Sequence, residues 1–188
     1  MQEFLKVTGM VIGAFPQGEY DRRIILLTRE QGKITAFVKG ARRQGSRFSA
    51  STDLFAYGEF DLYVGKTSYN IQDARITNYF EYLRTDLSAS CYGMYFLELC
   101  DYYGRENNDE SMLLLNLYRA LQGLKSDKLD NTFVKAVFEL KTFVIKGNVL
   151  EHRLKIPPYI LQMTGTGFFH LDLNCPVTGI DIIEQLLP

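Results

Sequence analysis

Hydrophobic and polar positions alternate along the first eighty residues and then recur every three or four, so the chain changes period near Phe80. Val7, Gly9, Val11 and Gly13 take one face against Thr8, Met10 and Ile12, and the segment runs into a turn cluster, Phe15-Pro16-Gln17-Gly18. Arg23 to Thr28 is a short aliphatic run, separated by Gln31-Gly32 from the alternating stretch Lys33 to Lys39, as in a hairpin. Two further strands are predicted over Asp53–Val64 and Ser68–Thr77, joined by Gly65-Lys66-Thr67. Five short strands, with no helical period long enough to cross over a parallel sheet, predict a small antiparallel barrel.

Beyond Phe80 the spacing is helical. Leu83, Leu87, Cys91, Met94 and Tyr95 open a long helix that stops near Gly104, and Asn107-Asn108-Asp109 offers capping oxygens for the next. The second helix uses Leu114, Leu117, Tyr118, Leu121 and Leu124 and ends in the polar loop Lys125-Ser126-Asp127-Lys128. Asp130 or Asn131 caps a third, with Phe133, Val137, Leu140 and Val144 on one stripe and Gly147 as its terminator. Three helices with short connections form a bundle. From Glu151 onward, Pro157-Pro158, Gly165-Thr166-Gly167 and Asn174-Cys175-Pro176 break the pattern, and Ile180–Leu187 reads as one short helix. The expected class is therefore α+β, with residues 1–80 as the barrel domain and 81–188 as a helical domain with an irregular end.

Composition narrows the function classes. Of 188 residues 46% are hydrophobic and 23% charged, an ordinary globular balance that excludes collagenous and disordered readings. No run reaches the ~18 apolar residues of a spanning helix, and Met1 to Lys6 lacks the layout of a secretory signal, so a cytoplasmic protein without a membrane partner is expected. Three cysteines are too few and too irregular for a disulfide framework. The net charge of −1 hides an asymmetry: residues 1–80 carry 11 Lys/Arg against 8 Asp/Glu, whereas residues 81–188 carry 10 against 14.

Catalytic chemistry finds little support. The two histidines, His152 and His170, lie in the poorly patterned tail, and H-E-x-x-H, G-x-S-x-G and P-loop motifs are all missing. Gly165-Thr166-Gly167 reads as a turn. Cys91 and Cys100, nine positions apart on one predicted helix, face opposite sides about 13 Å apart along the axis, so they cannot share a metal and read as core thiols. Asp53, Asp61 and Asp73 read as a solvated face. No catalytic residue, metal or cofactor is expected.

The stretch Lys33 to Arg47 stands out. From Gln31 to Thr52 there is no acidic residue, while Lys33, Lys39, Arg42, Arg43 and Arg47 are basic. Cations on a strand end and a Gly/Ser-rich loop can follow a phosphodiester backbone, since each neutralised phosphate releases condensed counterions. Period-two geometry sets Thr35, Phe37 and Lys39 on one face and Ile34, Ala36 and Val38 on the other, so an aromatic ring and a lysine share the outside when the aliphatic face is the core. A ring beside cations suits a base-stacking platform. The alternative has Phe37 packed beneath a loop and the arginines in a solvated turn.

Several stretches resemble the DNA repair protein RecO family of bacterial recombination mediators. They are Gly18 to Arg22, Leu27 to Ile34, Phe37 to Arg43 and Ser46 to Phe48, followed in order by Gly58 to Tyr63, Leu83 to Leu87, Tyr95 to Leu99 and Phe138 to Leu140. The resemblance runs from about residue 4 to residue 147. It implies an N-terminal OB-fold and a non-enzymatic protein that binds single- and double-stranded DNA and anneals complementary strands. It also implies work with RecR and the C-terminal tail of single-stranded-DNA-binding protein to help load RecA, in the cytoplasm and at the nucleoid during repair. The family's basic surface carries over to Lys39, Arg42, Arg43 and Arg47, and further to Arg22 and Lys33. Many members continue into a four-cysteine zinc cluster; this chain has only Cys175 in that region, and zinc is not expected. A protein-interaction adaptor with an OB-like barrel and no direct DNA binding is the competing reading.

Overall fold

The computed structural model describes residues 3–65 and 68–147. The tail features read above, His152, His170, Cys175, the Gly165-Thr166-Gly167 turn and the Ile180–Leu187 helix, lie outside the described residues.

Five strands close into a barrel: β1 (Glu3–Gln17), β2 (Asp21–Thr28), β3 (Gly32–Val38), β4 (Tyr57–Val64) and β5 (Tyr69–Asn78), in the order β1-β2-β3-β5-β4. β1 is long enough to serve two neighbours. Its first half pairs with β4, from Glu3 opposite Val64 to Met10 opposite Tyr57, and its second half with β2, from Gly9 opposite Thr28 to Gln17 opposite Asp21. A bulge between Val11 and Gly13 marks the change. Four of the five pairings are antiparallel, but β3 and β5 run parallel, through Ala36 opposite Tyr69 and Phe37 opposite Asn70. An odd number of strands cannot close with antiparallel neighbours throughout, so the antiparallel expectation fails at this one seam. The barrel is the OB-fold, and the protein is α+β.

Several element boundaries differ from expectation, and the long helix expected from Leu83 starts only at Leu87, with Leu83 in a 3-10 turn before it. Phe15-Pro16-Gln17 continues β1, and the turn falls at Gly18 to Tyr20, where Gly18 takes a φ of +62°. The reach of β2 back to Asp21 supplies partners for those three residues. Asp53 to Ala56 is not strand: a one-turn helix α1 (Phe48–Ser51) and a turn precede β4.

Side-chain alternation fills the barrel as the β3 pattern predicts. Ile34, Ala36 and Val38 are buried with Val7, Val11, Ile24, Leu26, Phe60, Leu62 and Ile71. A second core lies between the barrel's outer surface and the helices. There Met10, Ile12 and Leu27 meet Phe80, Leu83, Phe96, Leu97, Leu113, Leu117, Leu121 and Phe138. The middle of β1 is thus buried on both faces.

After a 3-10 turn (Glu81–Arg84) come α2 (Leu87–Tyr103), α3 (Ser111–Leu124) and α4 (Asn131–Ile145). Asp86 caps α2 by accepting the Ala89 N–H at 2.9 Å, and Asp130 caps α4 by accepting the Thr132 N–H at 2.8 Å. Gly147, with φ +70°, ends α4 as expected. The expected stripe holds for α3, whereas α2 and α4 turn other sides inward. Leu87, Cys91 and Met94 are exposed, and α2 buries Ala89, Gly93, Phe96, Leu97 and Cys100, so the core-thiol expectation fails for Cys91. Gly93 lets this face approach closely: a Cβ there would stand 3.1 Å from the Phe55 ring. α4 buries Val134, Phe138, Glu139 and Thr142 and leaves Val144 exposed. Its polar members are satisfied, since Thr142 accepts from Asn116 Nδ2 at 3.1 Å and Glu139 accepts from the Tyr95 hydroxyl.

The helices are stitched to the barrel at the β2–β3 turn. Gly32 pairs with Glu106 in a bridge, the Lys33 N–H donates to the Arg105 carbonyl at 2.9 Å, and the Asn107 N–H donates to that of Gln31 at 3.1 Å. Beneath this seam the buried Glu110 carboxylate is ion-paired to Lys146. Among the described residues no helix is long and apolar enough to cross a membrane.

Candidate nucleic-acid interface

The outer face of β2 and β3 changes character along its length. At one end Leu27 lies under the helices, and Lys33 Nζ donates to the Asp101 carbonyl at 2.5 Å and to its carboxylate at 3.2 Å. At the other end Arg23 and Phe37, direct partners across the β2–β3 ladder, remain partly open to solvent. Lys33 and Phe37 share the face but stand four residues apart, about 13 Å. Lys33 belongs to the covered end.

Beyond the open end two loops are tied together. The Gly40 N–H donates to Asp21 Oδ1 at 2.8 Å, the Arg42 N–H to the Tyr20 carbonyl at 2.9 Å, and Arg42 Nη1 to the carbonyls of Gly18 and Glu19 at 3.2 and 3.3 Å. The guanidinium of Arg43 sits 5.2 Å from the Tyr20 ring centroid, a cation–π distance. Gly40 makes this course possible with a φ of +65°, and Ala41, fully buried, pegs the loop to the barrel mouth. Lys39, Arg42 and Arg43 are exposed and gather on this rim. Tyr20 stays protonated at neutral pH: a hydrogen bond with Glu19 and desolvation raise its pKa, against the pull of Arg43.

The remaining candidates are spoken for to different degrees. Arg47 is 68% exposed but donates from Nη2 to the Gln72 carbonyl at 2.7 Å, lies 3.7 Å from Asp73, and covers the Phe48 ring at 4.6 Å. Arg22 is only 18% exposed, and its Nη1 bonds Asp53 Oδ1 at 2.7 Å, Thr52 Oγ1 at 3.0 Å and the Ser49 carbonyl at 3.2 Å. It fastens α1 to the barrel. The structure therefore brings Lys39, Arg42 and Arg43 together, sets Arg47 beside β5, and places Arg22 and Lys33 in internal ion pairs. Asp53, Asp61 and Asp73 are not a plain solvated face. Asp53 holds Arg22 and Arg84, Asp61 lies 4.0 Å from Lys6 and 3.6 Å from Arg75, and Asp73 holds Arg47.

Two residues at this site escaped the sequence reading. Tyr20 closes over Arg43, and Arg23 stands 4.7 Å over the Phe15 ring. An aromatic in a turn and an arginine in a strand gave no signal until the strand register paired them. Among the described residues there is no histidine and no group of His, Cys, Asp or Glu that could hold a metal ion.

Comparison with known proteins gives a consistent answer. Residues 1–80 match the family described as Recombination protein O N terminal. The chain is 31% identical over 142 residues to the DNA repair protein RecO of Clostridium novyi, covering 76% of this chain and 56% of that protein. It is 32% identical over 144 residues to RecO of Acetivibrio thermocellus, covering 77% and 57%, and 33% identical over 141 residues to RecO of Symbiobacterium thermophilum, covering 75% and 56%. The chain thus spans a little over half the length of these curated relatives.

Proposed function

We propose that this chain, whose first 80 residues match the RecO N-terminal family, is a DNA-binding mediator of recombinational repair whose barrel holds DNA at the rim formed by Lys39, Arg42 and Arg43. The observation that carries this reading is the rim itself: three exposed cations on the loop that follows β3, which is tied to the β1–β2 turn by backbone hydrogen bonds and by the stack of Arg43 on Tyr20. A preorganised cationic surface neutralises phosphates without first ordering its own side chains. Arg47 supplies a secondary contact, since reaching a phosphate means releasing Asp73. Arg22 and Lys33 shape the barrel.

In this reading residues 1–80 hold DNA, and the net-negative helical part docks protein partners. The partners are single- and double-stranded DNA, RecR and the C-terminal tail of single-stranded-DNA-binding protein, with RecA reached indirectly. The work is strand annealing without a catalytic step, in the cytoplasm and at the nucleoid. Rim cations screen the repulsion between two phosphate backbones, which is the physical requirement for bringing complementary strands together.

A salt titration of fluorescent oligonucleotide binding tests the rim. Charge reversal of Lys39, Arg42 and Arg43 together is expected to reduce the log–log salt slope on a single strand by about 2, at ~0.7 per phosphate contact. Binding that ignores salt, or a triple variant that binds as wild type does, refutes the reading in favour of a protein-interaction adaptor.

A further inference from the structure

We propose that a row of side chains across the outside of the barrel forms stacking stations for unpaired bases, so that this face takes single strands while duplex is held at the cationic rim alone. The inference rests on the DNA-binding reading above and assigns it a strand preference. Strand register defines the row. Phe15 lies opposite Arg23, Arg23 opposite Phe37, Phe37 opposite Asn70, Asn70 opposite Tyr63, and Tyr63 opposite Phe4. Directly opposed residues project from the same face of a sheet, so all six point outward together.

Three features suit this row to bases. Its rings are accessible: Phe4 is 67% and Phe15 is 42% exposed, and Phe37 and Tyr63 are partly open. Phe4 and Tyr63 meet edge to face at 5.9 Å, and Arg23 lies over Phe15, so each end of the row is a paired, prearranged surface with Phe37 between. The row itself contains no carboxylate. Of the carboxylates beside it, Asp61 and Asp73 lie within ion-pair distance of Lys6, Arg75 or Arg47, and Asp21, two positions from Arg23, accepts the Gly40 N–H at 2.8 Å.

Spacing selects the strand. Stations on alternate strands stand about 10 Å apart, whereas stacked bases along one strand of a duplex rise ~3.4 Å. Only a chain whose bases are unstacked and splayed can present one to each station. Ring stacking uses the face that every base has, so the preference is for single-strandedness and not for sequence. The helices cover the opposite end of this outer face and leave the row clear.

The test uses the full chain and three fluorescent probes read by anisotropy: oligothymidine, a duplex, and an abasic strand with the same number of phosphates. Phe37→Ala and Tyr63→Ala are each expected to weaken oligothymidine binding by about five- to a hundredfold, while duplex and abasic binding stay within about twofold. Wild type is expected to bind the abasic strand more weakly than either single variant binds oligothymidine, since every station is then unused, and Phe37→Trp is expected to retain tight binding. Unchanged oligothymidine binding in Phe37→Ala and Tyr63→Ala overturns the inference. So does equal loss on all three probes, which assigns the rings to the fold. If rim variants lose duplex binding while row variants keep oligothymidine binding, the DNA-binding reading stands and the row falls. If wild type binds none of the probes, both fall.

Discussion

Replacing Gly32 by alanine tests how the barrel and helices are joined. Gly32 takes a φ of +68°, and a Cβ there would lie 2.3 Å from the Arg105 carbonyl oxygen and 2.7 Å from that of Asn108. The left-handed backbone alone costs an L-residue roughly 1–2 kcal/mol. Gly18 and Gly45, at +62° and +74° with nothing within 4 Å of a built Cβ, isolate that contribution. At Gly32 the turn from Arg105 to Asn108 must also move, which strains the Lys33-to-Arg105 and Asn107-to-Gln31 hydrogen bonds at 2.9 and 3.1 Å. At about 0.5–1.5 kcal/mol each, these bring the expected loss for Gly32→Ala to roughly 2–5 kcal/mol, against 1–2 for Gly18→Ala and Gly45→Ala. Urea unfolding of the full chain gives the comparison from midpoints, provided the slopes agree. A Gly32→Ala loss within about 0.5 kcal/mol of the two control losses would refute the steric argument, since that is the scatter expected of independent sites.

Four further outcomes are expected. Lys33→Met destabilises the chain by about 1 kcal/mol but leaves the salt slope of DNA binding unchanged, because its cation is engaged by Asp101; a slope reduced as much as by Lys39→Met would return Lys33 to the interface. Lys146→Met leaves the Glu110 carboxylate, 1% exposed, without its cation and costs roughly 3–5 kcal/mol in urea unfolding, much of which the double change Glu110→Gln with Lys146→Met restores; equal losses in the single and double variants would show that burial of an unpaired charge is not the cause. Alkylation mapped by mass spectrometry labels exposed Cys91 in the native protein and Cys100 only after denaturation, since desolvation pushes the Cys100 thiol far up and the core covers it; labelling of both at similar rates contradicts this. Hydrogen bonds from Thr132 hold the Asp130 carboxyl below its ordinary range, so its stabilisation is present above about pH 4 and disappears as pH falls through the depressed value. The stability gap between wild type and Asp130→Ala therefore narrows on acidification, and a gap independent of pH would exclude the charged cap.

Much of the barrel is legible in the sequence because its strands are tightly patterned. Ile34, Ala36 and Val38 alternate with Thr35, Phe37 and Lys39, and only one register buries the aliphatic set. The α3 stripe is equally plain, since Arg119 and Gln122 leave little choice of inner face. α2 and α4 are apolar on more than one side, so periodicity alone picks the wrong stripe; what decides is the bulk of Phe55 against Gly93 and the polar lock among Asn116, Phe138 and Thr142. The site splits the same way. A run of cations without acids marks the rim, but a lysine or arginine in a strand looks alike whether a phosphate or a distant carboxylate will face it. Arg22 finds Asp53 31 positions on and Lys33 finds Asp101 68 positions on, and no local pattern carries that distance.

The shared use of β1 by two neighbours also orders events in time. Its second half can pair with β2 as soon as the first hairpin forms, a local step. Its first half must wait for β4: Lys6 and Glu59, which join across that seam, are 53 positions apart. Closure therefore carries the loop entropy of most of the N-terminal sequence, and non-local pairing of this kind folds slowly. On the ribosome, the rim loops emerge before the barrel that fixes them can close. On the proposed DNA-binding reading, acquisition of affinity during synthesis is then timed by the arrival of β4 and β5, after every rim cation has already been made.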